Sequence, residues 1–214
     1  FLVTAGYHVG KMTILNINED GSVGSIASEI FDHGTGTIGE RNFRPHVTCV
    51  QFTPDEKTLL FSIEEEGPKE NSDLIRVLEP SDRLPGWRNR SFIHRYVLST
   101  GLMEQLTYGH NSTYLNDVSA DSRYILFSTS ERVLTSLPFS RNSTYKLDLQ
   151  TMAVDTLWEK APYVSQATFS PDGKQLLVSG SGDAFDGIGL KVKEGQISNS
   201  YDGQLFVFDL VLDK

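Results

Sequence analysis

One turn occurs three times in this chain, and it limits the fold more than any other feature. The copies read FTPDEKTLLFS at 52–62, DVSADSRYILFS at 117–128 and TFSPDGKQLLVS at 168–179. Aligned without gaps, they bring Asp55, Asp121 and Asp172 into register. An apolar residue and a small one precede each turn: Phe52-Thr53, Val118-Ser119 and Phe169-Ser170. An apolar run follows it: Leu59-Leu60-Phe61, Ile125-Leu126-Phe127 and Leu176-Leu177-Val178. Each run is expected to be buried. Asp supplies local side-chain hydrogen bonds that favour tight turns. The repetition therefore predicts tandem hairpins, with Asp55 a turn residue rather than an acid catalyst.

The rest of the chain follows the same rhythm. Apolar runs of strand length alternate with turn chemistry such as EDG at 19–21 and STG at 99–101. No long window holds a clean helical period. A third strand follows each hairpin: FIHRYVLST, STYKLDLQT and GQLFVFDL. A fourth completes two of them: LMEQLTYG and AVDTLWEK. FLVTAGY, KMTILNIN and SIASEIFDHG supply strands two, three and four of an earlier unit. Each unit is a four-stranded meander of roughly 45 residues, the size of a propeller blade. One such sheet cannot bury both faces alone, and stacking blades around an axis buries them. The expected fold is all-β: a β-propeller, or a propeller fragment, of about four four-stranded antiparallel blades. The expected division is a single propeller domain over 1–214. It comprises a partial blade at 1–45, a blade at 46–108 with an insertion at 64–90, and blades at 114–160 and 163–214. The insertion is charged and Pro-rich, and it reads as a surface excursion with one helical turn around DLIRVL.

Composition narrows the partners. A net charge of −9 argues against a nucleic-acid surface. No apolar run is long enough to span a membrane as a helix. The chain opens at Phe1 without a signal-peptide pattern and reads as processed or cut from a longer one. Cys49 is the only cysteine, so neither an internal disulfide nor a Cys-based zinc site is expected. Its VTCVQF setting predicts a buried strand residue.

GTGTIG at 34–39 fits G-x-G-x-x-G, but Pro45 blocks the helix a dinucleotide site needs. NINEDG at 16–21 starts like a calcium loop, but Ala27 stands where a bidentate Glu is required. Asp183 and Asp186 lie among glycines, where a turn is the simpler reading than a cation site. Ser181 is not a nucleophile elbow, since no triad pattern completes it. The five histidines form no metal-binding spacing, and no cofactor or metal is expected. His46 stands apart. It lies at the start of an innermost strand beside Arg44, and such a pair can hold an anion and move a proton. Glu64, Glu65 and Glu66 form an acidic run suited to a cationic peptide group, or simply to a solvated face.

Two resemblances cover different parts of the chain. FLVTAGYHVGKMTILNINEDGSVG and GERNFRPHVTCVQFTPDEKTL, within residues 1 to about 58, resemble the lactonase family typified by 6-phosphogluconolactonase, a seven-bladed propeller. The resemblance implies that His46, Arg44 and Glu40 sit at a channel-mouth catalytic site for a small sugar lactone. FSPDGKQLLVSG, LTYG, YKLDLQTMAVDTLWEK and GQLFVFDL, in residues from about 60 to 214, resemble the propeller of prolyl oligopeptidase-type peptidases and TolB-type repeats. There the propeller filters peptides for a separate α/β-hydrolase domain, which this stretch does not contain. The change of resemblance within 50–62 raises the prospect of a chimera of two propeller pieces.

Three functional expectations follow. The first is a non-catalytic propeller segment of a prolyl oligopeptidase-type peptidase. It would serve substrate access or bind a peptide, a protein partner or a missing hydrolase domain. The second is a 6-phosphogluconolactonase-like lactone hydrolase. The third is an engineered or chimeric propeller without native activity. The peptidase resemblance implies a periplasmic or secreted chain, the lactonase resemblance a cytoplasmic one.

Overall fold

A computed structural model describes residues 1–32, 46–65, 88–188 and 202–210. They form antiparallel sheets throughout, of three or four strands each. The fold is all-β and built from propeller-type blades. The chain divides into two compact units, Phe1–Ser112 and Thr113–Lys214.

The first unit holds two sheets. One runs β1 (Leu2–Gly6), β2 (Lys11–Ile17) and β3 (Val23–Phe31) in sequence order. The other runs β4 (His46–Phe52), β5 (Thr58–Glu65), β6 (Arg90–Val97) and β7 (Leu102–Gln105). Strand β2 alternates, so Met12 and Ile14 point inward. They meet Ile30, Val47, Leu59, Phe61 and Ile63 in one core. Strand β5 is covered on both faces, and Leu59, Leu60 and Phe61 are fully buried. Cys49, expected inside, is exposed. The register of β4 against β5 shifts between Val47 and Cys49, so the alternation that would carry Cys49 inward is broken by a bulge.

The second unit repeats the plan. Strands β8 (Thr113–Val118), β9 (Tyr124–Arg132), β10 (Ser140–Asp148) and β11 (Val154–Ala161) form one sheet. Strands β12 (Val164–Phe169), β13 (Gln175–Ser181) and β14 (Gly203–Asp209) form the other. Leu126 of the first packs with Val164, Ala167, Leu176, Val178 and Ala184. Trp158 meets Phe185 and Phe208 edge-on, at centroid separations of 5.6 and 5.8 Å. A half-buried carboxylate ties the sheets together: Asp117 accepts from the backbone N–H of Phe169 at 2.7 Å and of Val118 at 2.8 Å. Leu177, expected to be buried with its neighbours, is 44% exposed. Over Gln175–Val178 of β13 only alternate residues are buried.

The repeated turn is built the same way three times. The side chains of Thr53, Ser119 and Ser170 donate to Asp55, Asp121 and Asp172 at 2.7, 2.5 and 2.7 Å. The same Asp oxygens accept from the backbone N–H of Lys57, Arg123 and Lys174. Each hydroxyl oxygen also accepts from the strand beyond, at Thr58, Tyr124 and Gln175. These bonds hold the Asp121 and Asp172 carboxyls below their ordinary range, chiefly through Ser119 and Ser170. The residue after each Asp takes a left-handed conformation: Glu56 at φ 56°, Ser122 at 60° and Gly173 at 69°. Only the third copy uses glycine, which carries no steric penalty there. Ser122→Gly should therefore stabilise the chain by about 0.5–1 kcal/mol, measured as a raised denaturation midpoint.

A second polar anchor closes the next hairpin of the second unit. The Arg123 guanidinium donates twice to Asp148 Oδ2, at 3.1 and 2.8 Å. The other Asp148 oxygen accepts from the backbone N–H of Gln150 and Thr151. The hydrogen bond from Arg123 is the main reason the Asp148 carboxyl lies far below the usual carboxylate range. A depressed carboxyl stabilises the fold above its unfolded titration range, and that contribution is lost progressively as pH falls from there toward the depressed folded value.

Candidate functional site

In the first unit the antiparallel order brings four chain segments to one end. Strand β1 ends at Gly6, β4 begins at His46, β5 ends at Glu65 and β6 begins at Arg90. A 3-10 turn, Tyr7–Val9, continues from β1. Gly10 closes it in the left-handed region, φ 59°, and returns the chain into β2. This turn packs against β4.

A small polar cluster results. The Tyr7 and His46 rings lie 4.3 Å apart at 42°. His46 and Glu64 stand directly opposite each other across β4 and β5. Cross-strand partners of this kind keep their side chains within reach. The Tyr7 hydroxyl lies close to the Glu64 carboxylate. Asn89 Nδ2 donates to Glu64 Oε1 at 2.8 Å. Burial, followed by the charge and hydrogen bond of Glu64, pushes the Tyr7 phenol up. Tyr7 thus keeps its proton well above neutral pH and serves as a donor. His8 meets the other side of Tyr7, edge-on at 5.0 Å.

The arrangement can hold a carboxylate in fixed orientation beside an imidazole. Histidine is the side chain suited to carry a proton near neutrality. The cluster is partly open: Tyr7 is 38% exposed, and His46, Glu64 and Asn89 are half-buried. A second histidine nearby plays a different part. His94 is buried on β6, stacked on Phe61 at 5.7 Å, with Nδ1 3.0 Å from the Phe92 carbonyl. Burial pushes its titration down, so it remains neutral and structural.

Of the residues marked from sequence, His46 and Glu64 come together. The acidic run divides, because successive strand residues face opposite ways. Glu64 enters the cluster, while Glu65 is exposed. Arg44, Glu40 and Glu66 lie outside the described residues, as do GTGTIG and DLIRVL. Asp183 and Asp186 flank and occupy a 3-10 turn, Ala184–Gly187. Among the described residues no three His, Cys, Asp or Glu side chains gather as metal ligands. Sequence reading missed Tyr7 and Asn89. The glycines around Tyr7 in AGYHVGK were the available signal for a chain reversal that presents a ring.

The comparisons bear on the same stretch. The family described as lactonase, 7-bladed beta-propeller, matches residues 1–62. The match is to a seven-bladed lactonase propeller. The 6-phosphogluconolactonase of Bacillus subtilis (strain 168) is 42% identical over 55 residues, which is 26% of this chain and 16% of that protein. A putative 6-phosphogluconolactonase structure from Bacteroides fragilis is 19% identical, with a TM-score of 0.41, covering 97% of this chain and 70% of that one. The Pyrococcus horikoshii acylaminoacyl peptidase is 13% identical, with a TM-score of 0.45, covering 77% of this chain and 23% of that one. The chain thus matches only a small part of the curated relative's length. Tyr7 and His46 lie inside the lactonase-like stretch, and Glu64 stands just beyond it.

Proposed function

We propose that the first unit supplies part of a hydrolytic site for a phosphorylated sugar lactone. The observation that carries this reading is the contact of Tyr7, His46 and Glu64 at one end of a lactonase-like stretch. In this reading Tyr7 and Asn89 hold Glu64 in place, and Glu64 orients the imidazole opposite it. His46 accepts a proton from water as the water oxygen attacks the lactone carbonyl. The ring C–O bond then breaks. The imidazolium returns the proton to the departing alkoxide, which leaves a hydroxy acid. Arg44 and Glu40, added by the family resemblance, are assigned to phosphate binding and to acid–base support.

The test is turnover of 6-phosphogluconolactone above its spontaneous hydrolysis. Tyr7→Phe removes the hydroxyl beside Glu64 and keeps the ring against His46. It should lower kcat by about tenfold with little change in KM. No turnover by the parent chain sinks the reading.

The second reading is a peptide-binding propeller without catalysis. It is favoured by a feature of the second half: no histidine follows His110, so a Ser-His-Asp set cannot form in the second unit. Peptide binding without any hydrolysis, in a chain inactive on the lactone, would select it.

A further inference from the structure

The apolar run behind each repeated turn has three residues, and the middle one points to the opposite side of the sheet from its neighbours. In the first unit the flanking pair of the run, Leu59 and Phe61, meets Met12, Ile14 and Ile30 of the sheet before it. In the second unit the flanking pair, Leu176 and Val178, likewise meets the sheet before it, at Leu126. Leu126 is the middle residue of its own run. Each junction therefore joins the forward side of one sheet to the backward side of the next.

Two sides are left over. Leu177 is the middle residue of the third run, so its side of the β12–β14 sheet faces forward, and among the described residues no sheet follows. Leu177 stands opposite Val207, with Leu205 beside them on the same side. Leu205 and Val207 are 69% and 67% exposed. The β1–β3 sheet spends Met12, Ile14 and Ile30 on its forward junction, so its other side faces backward. There Leu2, Leu15 and Ile26 form one row across three strands, and Ile17 pairs with Val23. Leu2, Ile17, Val23 and Ile26 are all exposed.

Contiguous apolar surface of this kind marks a place where something docks. The two open sides are complementary in kind. Between the β8–β11 and β12–β14 sheets a forward side is closed by a backward side, and the chain carries one open side of each. Both present strand rows of Leu, Ile and Val, the residue types that fill the existing junctions. Lys11 and Glu29 on the backward side pair with each other, so their charges do not oppose covering. A second copy of this chain supplies the missing partner for each side. Such a contact is heterologous, because two different surfaces meet.

We propose that copies of this chain join head to tail, the open side of β12–β14 in one covering the open side of β1–β3 in another. The proposal does not rest on the lactone reading, whose cluster uses none of these residues. Sedimentation velocity of the full chain, between roughly 1 and 300 μM, should show a mass that rises with concentration beyond one copy. Leu205→Lys combined with Val207→Lys forces lysines into an apolar contact and should weaken association at least about tenfold. Its circular dichroism should match the parent's, since both positions are exposed. Ile26→Lys should do the same from the other side. Threonine at the same positions, which suits strands, replaces lysine if a variant fails to fold. Mixing the two variants is decisive. Each keeps one open side, so together they should form a one-to-one dimer that grows no further. A monomer throughout the range overturns the proposal, as does a mixture that forms no dimer. Association that survives Ile26→Lys also overturns it, because the last sheets would then be pairing with each other.

Discussion

His46→Ala lowers the turnover of 6-phosphogluconolactone by about 10²- to 10⁴-fold, the usual contribution of a positioned general base. The loss falls on kcat, because alanine removes the proton acceptor and leaves the other groups of the cluster in place. Stability should change little. His46 is half-buried at the beginning of β4, and its neighbour Val47 carries the core contact. Thermal melts and near-UV circular dichroism verify that the variant remains folded. Glu64→Gln gives a second arm. It keeps the volume and the bond from Asn89 but removes the charge opposite the imidazole. It should lower kcat by about tenfold with little change in KM, because the imidazole loses the carboxylate that orients it. A His46→Ala chain with parent-like kcat would remove the histidine from the mechanism, whatever else the protein hydrolyses.

Leu126→Ala should cost the second unit about 2–5 kcal/mol, the range for emptying a buried leucine site. Leu126 is fully buried and packs against residues from β12 and β13, so its removal opens a cavity between two sheets that neither can close alone. Trp158 lies in the same cluster and reports the loss by fluorescence, with Trp87→Phe as background. Leu177→Ala is the matched control. Leu177 holds the same position in the third copy of the turn motif but is 44% exposed, and it should cost about 0.5 kcal/mol or less. Equal costs at the two positions would show that the two sheets do not pack as described.

These two leucines also show how far the sequence can be read. The turn was fully legible: Ser or Thr, then Asp two residues later, then a left-handed residue, returned the same bonds in all three copies. Such a turn is closed by neighbours in the chain, so local sequence suffices. Strand runs and their order were legible for the same reason, since hairpins join adjacent segments. The site was legible in part. His46 stood out by position and by resemblance. Its contact with Tyr7 could not be seen, because the ring arrives from a turn in another sheet. Glu64 was visible only as one of three acids, and strand alternation separated it from Glu65.

By itself, then, the sequence determined an all-β chain of repeated hairpins, because period, turn chemistry and neighbouring pairing are local properties. Only the tertiary structure decided which face of each strand is covered. Leu59-Leu60-Phe61 is buried throughout, whereas Leu177 in its counterpart reaches solvent. Burial depends on what packs from a distant part of the chain, and no window of residues contains that information. The same distant packing placed Tyr7 on His46.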